Sequence, residues 1–176
     1  RSGLISTALN GTGSGGSLVI NTDSLNIRDG GAVSASNFNS LRRSFLPPGQ
    51  GSTSNLDINA SIIRLNNNSL ISADTVTGDR GNITLNTNLL SLRNGSRVTT
   101  DATGEATGGN IQINAPDGFV VAVPEENSDI TANAVFGDGG SVSISAQAVI
   151  GIEQNASPTG ASDITGSDMA LKASTA

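Results

Sequence analysis

The sequence predicts an all-β fold, specifically a single-stranded right-handed parallel β-helix (β-solenoid) of about five to six coils with a period near 28 residues plus insertions. Three observations predict it. A Gly-x-apolar-x-apolar signature recurs, a second alternating signature follows each copy, and no segment carries the 3.6-residue recurrence of an amphipathic helix. The segments that do alternate are three to five residues long and are separated by Gly, Asn, Asp and Ser, which is strand-and-turn chemistry.

The first signature reads Gly16-Ser17-Leu18-Val19-Ile20, Gly81-Asn82-Ile83-Thr84-Leu85, Gly109-Asn110-Ile111-Gln112-Ile113 and Gly140-Ser141-Val142-Ser143-Ile144, with a degenerate copy at Ser54-Asn55-Leu56-Asp57-Ile58. The second runs from Leu25 to Ser34, from Ile63 to Ser72 and from Leu90 to Thr99 with identical internal spacing, while later copies carry longer turns. Alignment gives five aliphatic columns. They begin at Leu18, Ile20, Leu25, Ile27 and Val33, and the third is continued by Ile63, Leu90, Val121 and Ile150, the fourth by Leu65, Leu92, Val123 and Ile152. Ile5 ends a preceding coil in the fifth column. Each coil is expected to hold three short strands, each pairing with its equivalent one coil later, and right-handed winding suits the variable corner lengths. Turn residues such as Asp29, Asn67 and Asn94 then fall above one another as polar ladders.

Residues 1–166 read as one repeat domain with a loop insertion at about 36–55, and 167–176 as a C-terminal tail or partial coil in which Met169 and Leu171 supply the strand positions. The truncated first coil and the unrestarted repeat at the end read as a piece of something longer.

Composition excludes several kinds of chemistry. The 176 residues include no Cys, His, Trp or Tyr and only 4 Phe, so disulfide scaffolds, thiol catalysis, cysteine-ligated metals and a His-based triad cannot be built. A formal charge of -6 opposes binding to phosphate backbones, so nucleic acid is not an expected partner. No window of 18 apolar residues exists, so membrane insertion through an apolar helix is not expected either.

The runs Ile83-Thr84-Leu85 through Arg93-Asn94-Gly95-Ser96, and Asn127-Ser128-Asp129-Ile130-Thr131-Ala132-Asn133-Ala134 followed by Gly137-Asp138-Gly139-Gly140, resemble the repeats of filamentous-haemagglutinin-like large exoproteins of the cyanobacterial, two-partner-secretion kind. The resemblance covers nearly all residues up to about 166. It implies a right-handed β-helical passenger exported across an outer membrane, secreted or displayed at the cell surface, with adhesive or structural duty; separately, no motif in the sequence calls for a cofactor. The secretion domain of that family is not among these residues.

Candidate sites are few. The insertion holds Phe38, Arg42, Arg43 and Phe45, two of the four aromatics and two of the nine cations, and reads first as a flap covering a coil edge with its Phe residues tucked in, with a protruding surface-contact loop as the alternative. Pro124, Glu125 and Glu126 beside Asn127 and Asp129 invite comparison with a cation site, but no calcium-loop spacing occurs. Arg28 and Arg93 share a column, and polysaccharide lyases of the expected fold use such a base, yet no clustered Asp pair neighbours both. The expected function is therefore a non-enzymatic structural or adhesive segment of a secreted or surface exoprotein, with a polysaccharide-binding or polysaccharide-degrading protein as the alternative. Expected partners are a cell-surface glycan or protein and, through open strand edges, further copies of the chain associating end to end.

Overall fold

The computed structural model describes residues 3–5, 13, 15–36, 51, 53–76, 78, 80–104 and 106–173. Val, Ile, Leu and Thr alternate with polar residues over most of this length, and the chain answers with strands. Among the described residues there is no α-helix. A single 3₁₀ turn, Pro124–Glu126, is the only helical element among them, and Pro at its start supplies the φ that such a turn needs.

The strands form two parallel seven-stranded sheets. One is made of short strands: β1 (Gly3–Ile5), β3 (Ala32–Ser34), β5 (Leu70–Ser72), β8 (Arg97–Thr99), β10 (Asp129–Ala132) and β13 (Asp163–Gly166), in that spatial order, with β12 (Glu153–Gln154) on the far side of β13. The other is built on long strands: β2 (Leu18–Arg28), β4 (Leu56–Asn66), β9 (Ile111–Val121) and β11 (Ser141–Ile150), joined by β6 (Ile83–Asn86), β7 (Leu89–Leu92) and β14 (Asp168–Ala173). Strands β6 and β7 each bridge β4 and β9, so β4, β6, β9 and β7 close a circuit of four pairings.

This corrects the expected architecture. The all-β assignment stands, but a single-stranded right-handed β-helix with three short strands per coil is not what the pairings describe; they describe two parallel sheets, one containing that closed four-strand circuit. The reason lies at the junction of the two sequence signatures. In β2, β4, β9 and β11 the backbone stays extended through the junction, so segments expected as separate strands are one strand of ten or eleven residues. Only at Thr87-Asn88 does it break: the Thr87 and Asn88 N–H groups still bond across to the Asn114 and Ser61 carbonyls, while the Thr87 hydroxyl lies within 3.0 Å of the Leu89 carbonyl and 3.2 Å of the Ser61 carbonyl and accepts from the Leu89 N–H at 3.2 Å.

Register explains the core. Leu18, Leu56, Ile83, Ile111 and Val142 pair in succession, as do Ile20, Ile58, Leu85, Ile113 and Ile144. In the short-stranded sheet Val33, Ile71, Val98, Ile130 and Ile164 do the same, with Leu4 rather than Ile5 opposite Val33. Most of these side chains are fully buried in one cluster between the sheets. The third column differs by one residue from its expected membership: Leu90 pairs with Val120, and Val120 with Val149. Val121 and Ile150 consequently lie on the outer face, and Ala122 rather than Val123 is buried next. Period-two alternation makes a one-residue slip decisive, because it moves a side chain to the opposite face. The slip arises where Pro116-Asp117-Gly118 in β9 faces the single Gln147 of β11 across a bulge.

Candidate contact surface

Four families of polar side chains are stacked by this register, each from a residue type that recurs in the sequence. On the outer face of the long-stranded sheet, Asn59 Nδ2 donates to Asn21 Oδ1 at 2.8 Å, Asn86 Nδ2 to Asn59 Oδ1 at 2.7 Å and Asn114 Nδ2 to Asn86 Oδ1 at 2.7 Å. At the entry to the same strands, Asn55 Oδ1 accepts from the Asn82 backbone N–H at 3.1 Å. Asn82 Oδ1 likewise accepts from Asn110 at 3.0 Å, and Asn110 Oδ1 from Ser141 at 3.0 Å.

The third family sits at the turn between the sheets. Asp29, Asn67, Asn68 and Asn94 have φ between 52° and 57°, a left-handed conformation that Asn and Asp tolerate better than other side chains. Asn67 Nδ2 donates to Asp29 Oδ1 at 3.0 Å as the ladder expectation requires, whereas Asn94 Nδ2 turns to Asn66 Oδ1 at 2.7 Å.

The fourth family is one that sequence reasoning missed. Two residues beyond each hydroxyl of the short-stranded sheet lies another polar side chain: Ser34-x-Ser36, Ser72-x-Asp74, Thr99-x-Asp101, Thr131-x-Asn133. Asp74 Oδ1 accepts from the Thr99 hydroxyl at 2.6 Å and from the Asp101 N–H at 2.9 Å. Asp101 in turn accepts from the Thr131 hydroxyl and the Asn133 N–H, both at 2.8 Å. Burial, with the neighbouring Asp101 charge adding to it, pushes the Asp74 carboxyl up to about 7 against the pull of the Thr99 hydroxyl. Burial also raises Asp101 and Asp129, although Arg97 Nε stands 3.5 Å from Asp129 Oδ2. The hydroxyl-x-Asp recurrence is the signal that would have found this stack.

The expected site residues fare differently. Phe38, Arg42, Arg43 and Phe45 lie outside the described residues. Glu126 does not face a cation position: Arg93 Nε and Nη2 each donate to it at 2.7 Å in a bidentate pair, and the Asn94 N–H adds a third bond at 2.8 Å. These bonds pull its carboxyl down to about 2. Arg93 is thereby engaged, while the exposed Arg28 stands 4.0 Å from Asp29. Among the described residues no group of three or more acidic side chains is arranged to hold a metal ion.

A groove of about 530 Å³ opens beside the outer amide row, lined by Asn59, Asn86, Asn114, Ser61, Thr87 and Asn88 among others. One residue further along the strands, Ile62, Leu89, Phe119 and Ala148 follow one another in register, with Phe119 41% exposed. Comparison with protein-family models, curated proteins and solved structures finds no match to this chain.

Proposed function

We propose that this chain is a non-enzymatic structural and adhesive segment of a secreted or surface-displayed bacterial exoprotein, of the kind its repeat motifs resemble. The observation that carries the reading is the outer row Asn21, Asn59, Asn86 and Asn114. It is an uncharged, hydrogen-bonding strip laid across four strands of a sheet whose other face is the aliphatic core. Loops can be remodelled by a ligand; a strip held by strand register and by its own amide bonds is preorganised for repeated weak contact. The absence of Cys favours passage across a membrane in an unfolded state, because no disulfide can form prematurely.

The degradative alternative has less behind it. The arginine considered as a base, Arg93, is committed to Glu126.

Beads coated with the 176-residue chain test the reading when they are offered cell surfaces and immobilised polysaccharides while the supernatant is assayed for new reducing ends and unsaturated products. Retention without product formation is the expected result. Product release that tracks the protein, or no retention on any surface, overturns it.

A further inference from the structure

The groove beside the amide row has features that select a ligand class. Every amide carries two N–H donors and an oxygen with two lone pairs. In Asn59 and Asn86 the ladder uses one N–H and one lone pair apiece. Each therefore keeps a donor and an acceptor for an outside molecule, and the pairs repeat at the interstrand spacing of roughly 4.8 Å. Among the described residues no Asp, Glu, Lys or Arg lines the groove. Adjacent donors and acceptors without charge match hydroxyl groups, which both donate and accept.

The apolar row supplies the other half of the recognition. Ser61 is followed by Ile62, Asn88 by Leu89 and Gly118 by Phe119, so each strand places an apolar side chain directly past the groove on the same outer face. The C–H faces of pyranose rings are apolar and pack against such surfaces, and the exposed Phe119 ring offers one. An extended peptide is disfavoured, because β4, β6, β7 and β9 are each paired on both sides and offer no edge for strand addition.

We infer that the outer groove between the Asn59–Asn86–Asn114 row and the Ile62–Leu89–Phe119 row binds a linear neutral polysaccharide lying across the strands. The inference rests on the adhesive reading and names the contact surface and the partner for it. The chain's charge of -6 works against acidic polymers at the same place.

The test uses a soluble β-1,4-glucan, a β-1,3-glucan, an α-1,4-glucan and a galactomannan as probes, with polygalacturonate and an unfolded casein as comparators, in affinity electrophoresis and calorimetry. Ser61→Arg fills the groove from an exposed position, and Phe119→Ser removes the ring. Unfolding curves establish that each variant retains the fold before binding is read. Binding of at least one neutral glucan or galactomannan, weakened roughly tenfold or more by each substitution, is expected. No binding of any of the four, equal binding of polygalacturonate or casein, or binding indifferent to both substitutions overturns the inference. Coated beads carrying Ser61→Arg separate it from the adhesive reading: full retention on cells leaves adhesion standing and removes the groove from it, whereas wild-type beads that adhere to nothing remove both.

Discussion

Asp74 shows how much a single side chain in a stacked column can control. Its neighbours along the stack are the Asp101 carboxyl on one side and the Ser36 hydroxyl on the other, the latter accepting from the Asp74 N–H at 3.2 Å. The charged groups further along are Arg97, Asp129 and Asp163, and the last is pulled below its ordinary value: burial raises it, but the N–H and hydroxyl of Thr159 and the Asn155 amide outweigh burial. Because the folded Asp74 carboxyl titrates near 7 and the unfolded one near 3.8, the folded state holds its proton more tightly. Stability is then greatest below the unfolded value and falls as pH rises toward 7. Thermal unfolding is expected at a lower temperature at about pH 8 than at about pH 5, and Asp74→Asn should flatten most of that difference. An unchanged pH profile in the variant would assign the effect elsewhere. Glu126 works in the opposite sense and in another window: its lowered value contributes stability that is lost as pH falls from about 4.5 toward 2.

The glycine that opens the first signature belongs to the scale of the element. A Cβ at Gly109 would run into the Gly81 carbonyl oxygen, and one at Gly140 into that of Gly109. At Gly81 it would meet Thr53 Cγ2 at 2.7 Å and the Ser54 carbonyl oxygen at 2.8 Å. Glycine stands at these entries because successive strands approach each other backbone to backbone, and Gly16, whose Cβ would meet nothing, lies at the end of the series. Gly109→Ala should cost about 1–3 kcal/mol, as overpacking does, whereas Gly16→Ala should be near neutral in urea unfolding. The signature is legible as a repeat in the sequence; its cause, a carbonyl from the preceding strand, is not. The hydroxyl-x-Asp stack shows the same limit. Its members stand in plain sequence at regular intervals, but an Asp in a polar turn reads as solvated until burial is known. The column that slipped by one residue, Val120 in place of Val121, went astray because Phe119-Val120-Val121 has no polar residue to mark its phase.

At the scale of the whole molecule the two sheets leave strand edges. Among the described residues β2 pairs only with β4, and β14 only with β11. Met169 and Leu171 of β14 pair with Val142 and Ile144, and so continue the columns that begin at Leu18 and Ile20. Val19, 54% exposed, faces outward between those two. Open edges of matching side-chain pattern are templates for further pairing. Light scattering of the 176-residue chain is expected to show mass rising with concentration, and Val19→Lys with Ile20→Pro should suppress it. A constant monomer mass across the concentration range would show that the edges are protected.

The sequence by itself determined that this chain is made of short alternating segments, that most of the aliphatic columns it aligns line the interior, and that His- and Cys-based chemistry is excluded. Those properties follow from composition and from period-two alternation, which are local. Tertiary structure alone decided that the segments merge into long strands of two parallel sheets, that Val121 and Ile150 face outward, that Glu126 belongs to Arg93, and that Asp74 is half-buried beside Asp101. Each of these depends on which backbone lies against which, a relation between residues far apart in the chain that no local pattern encodes.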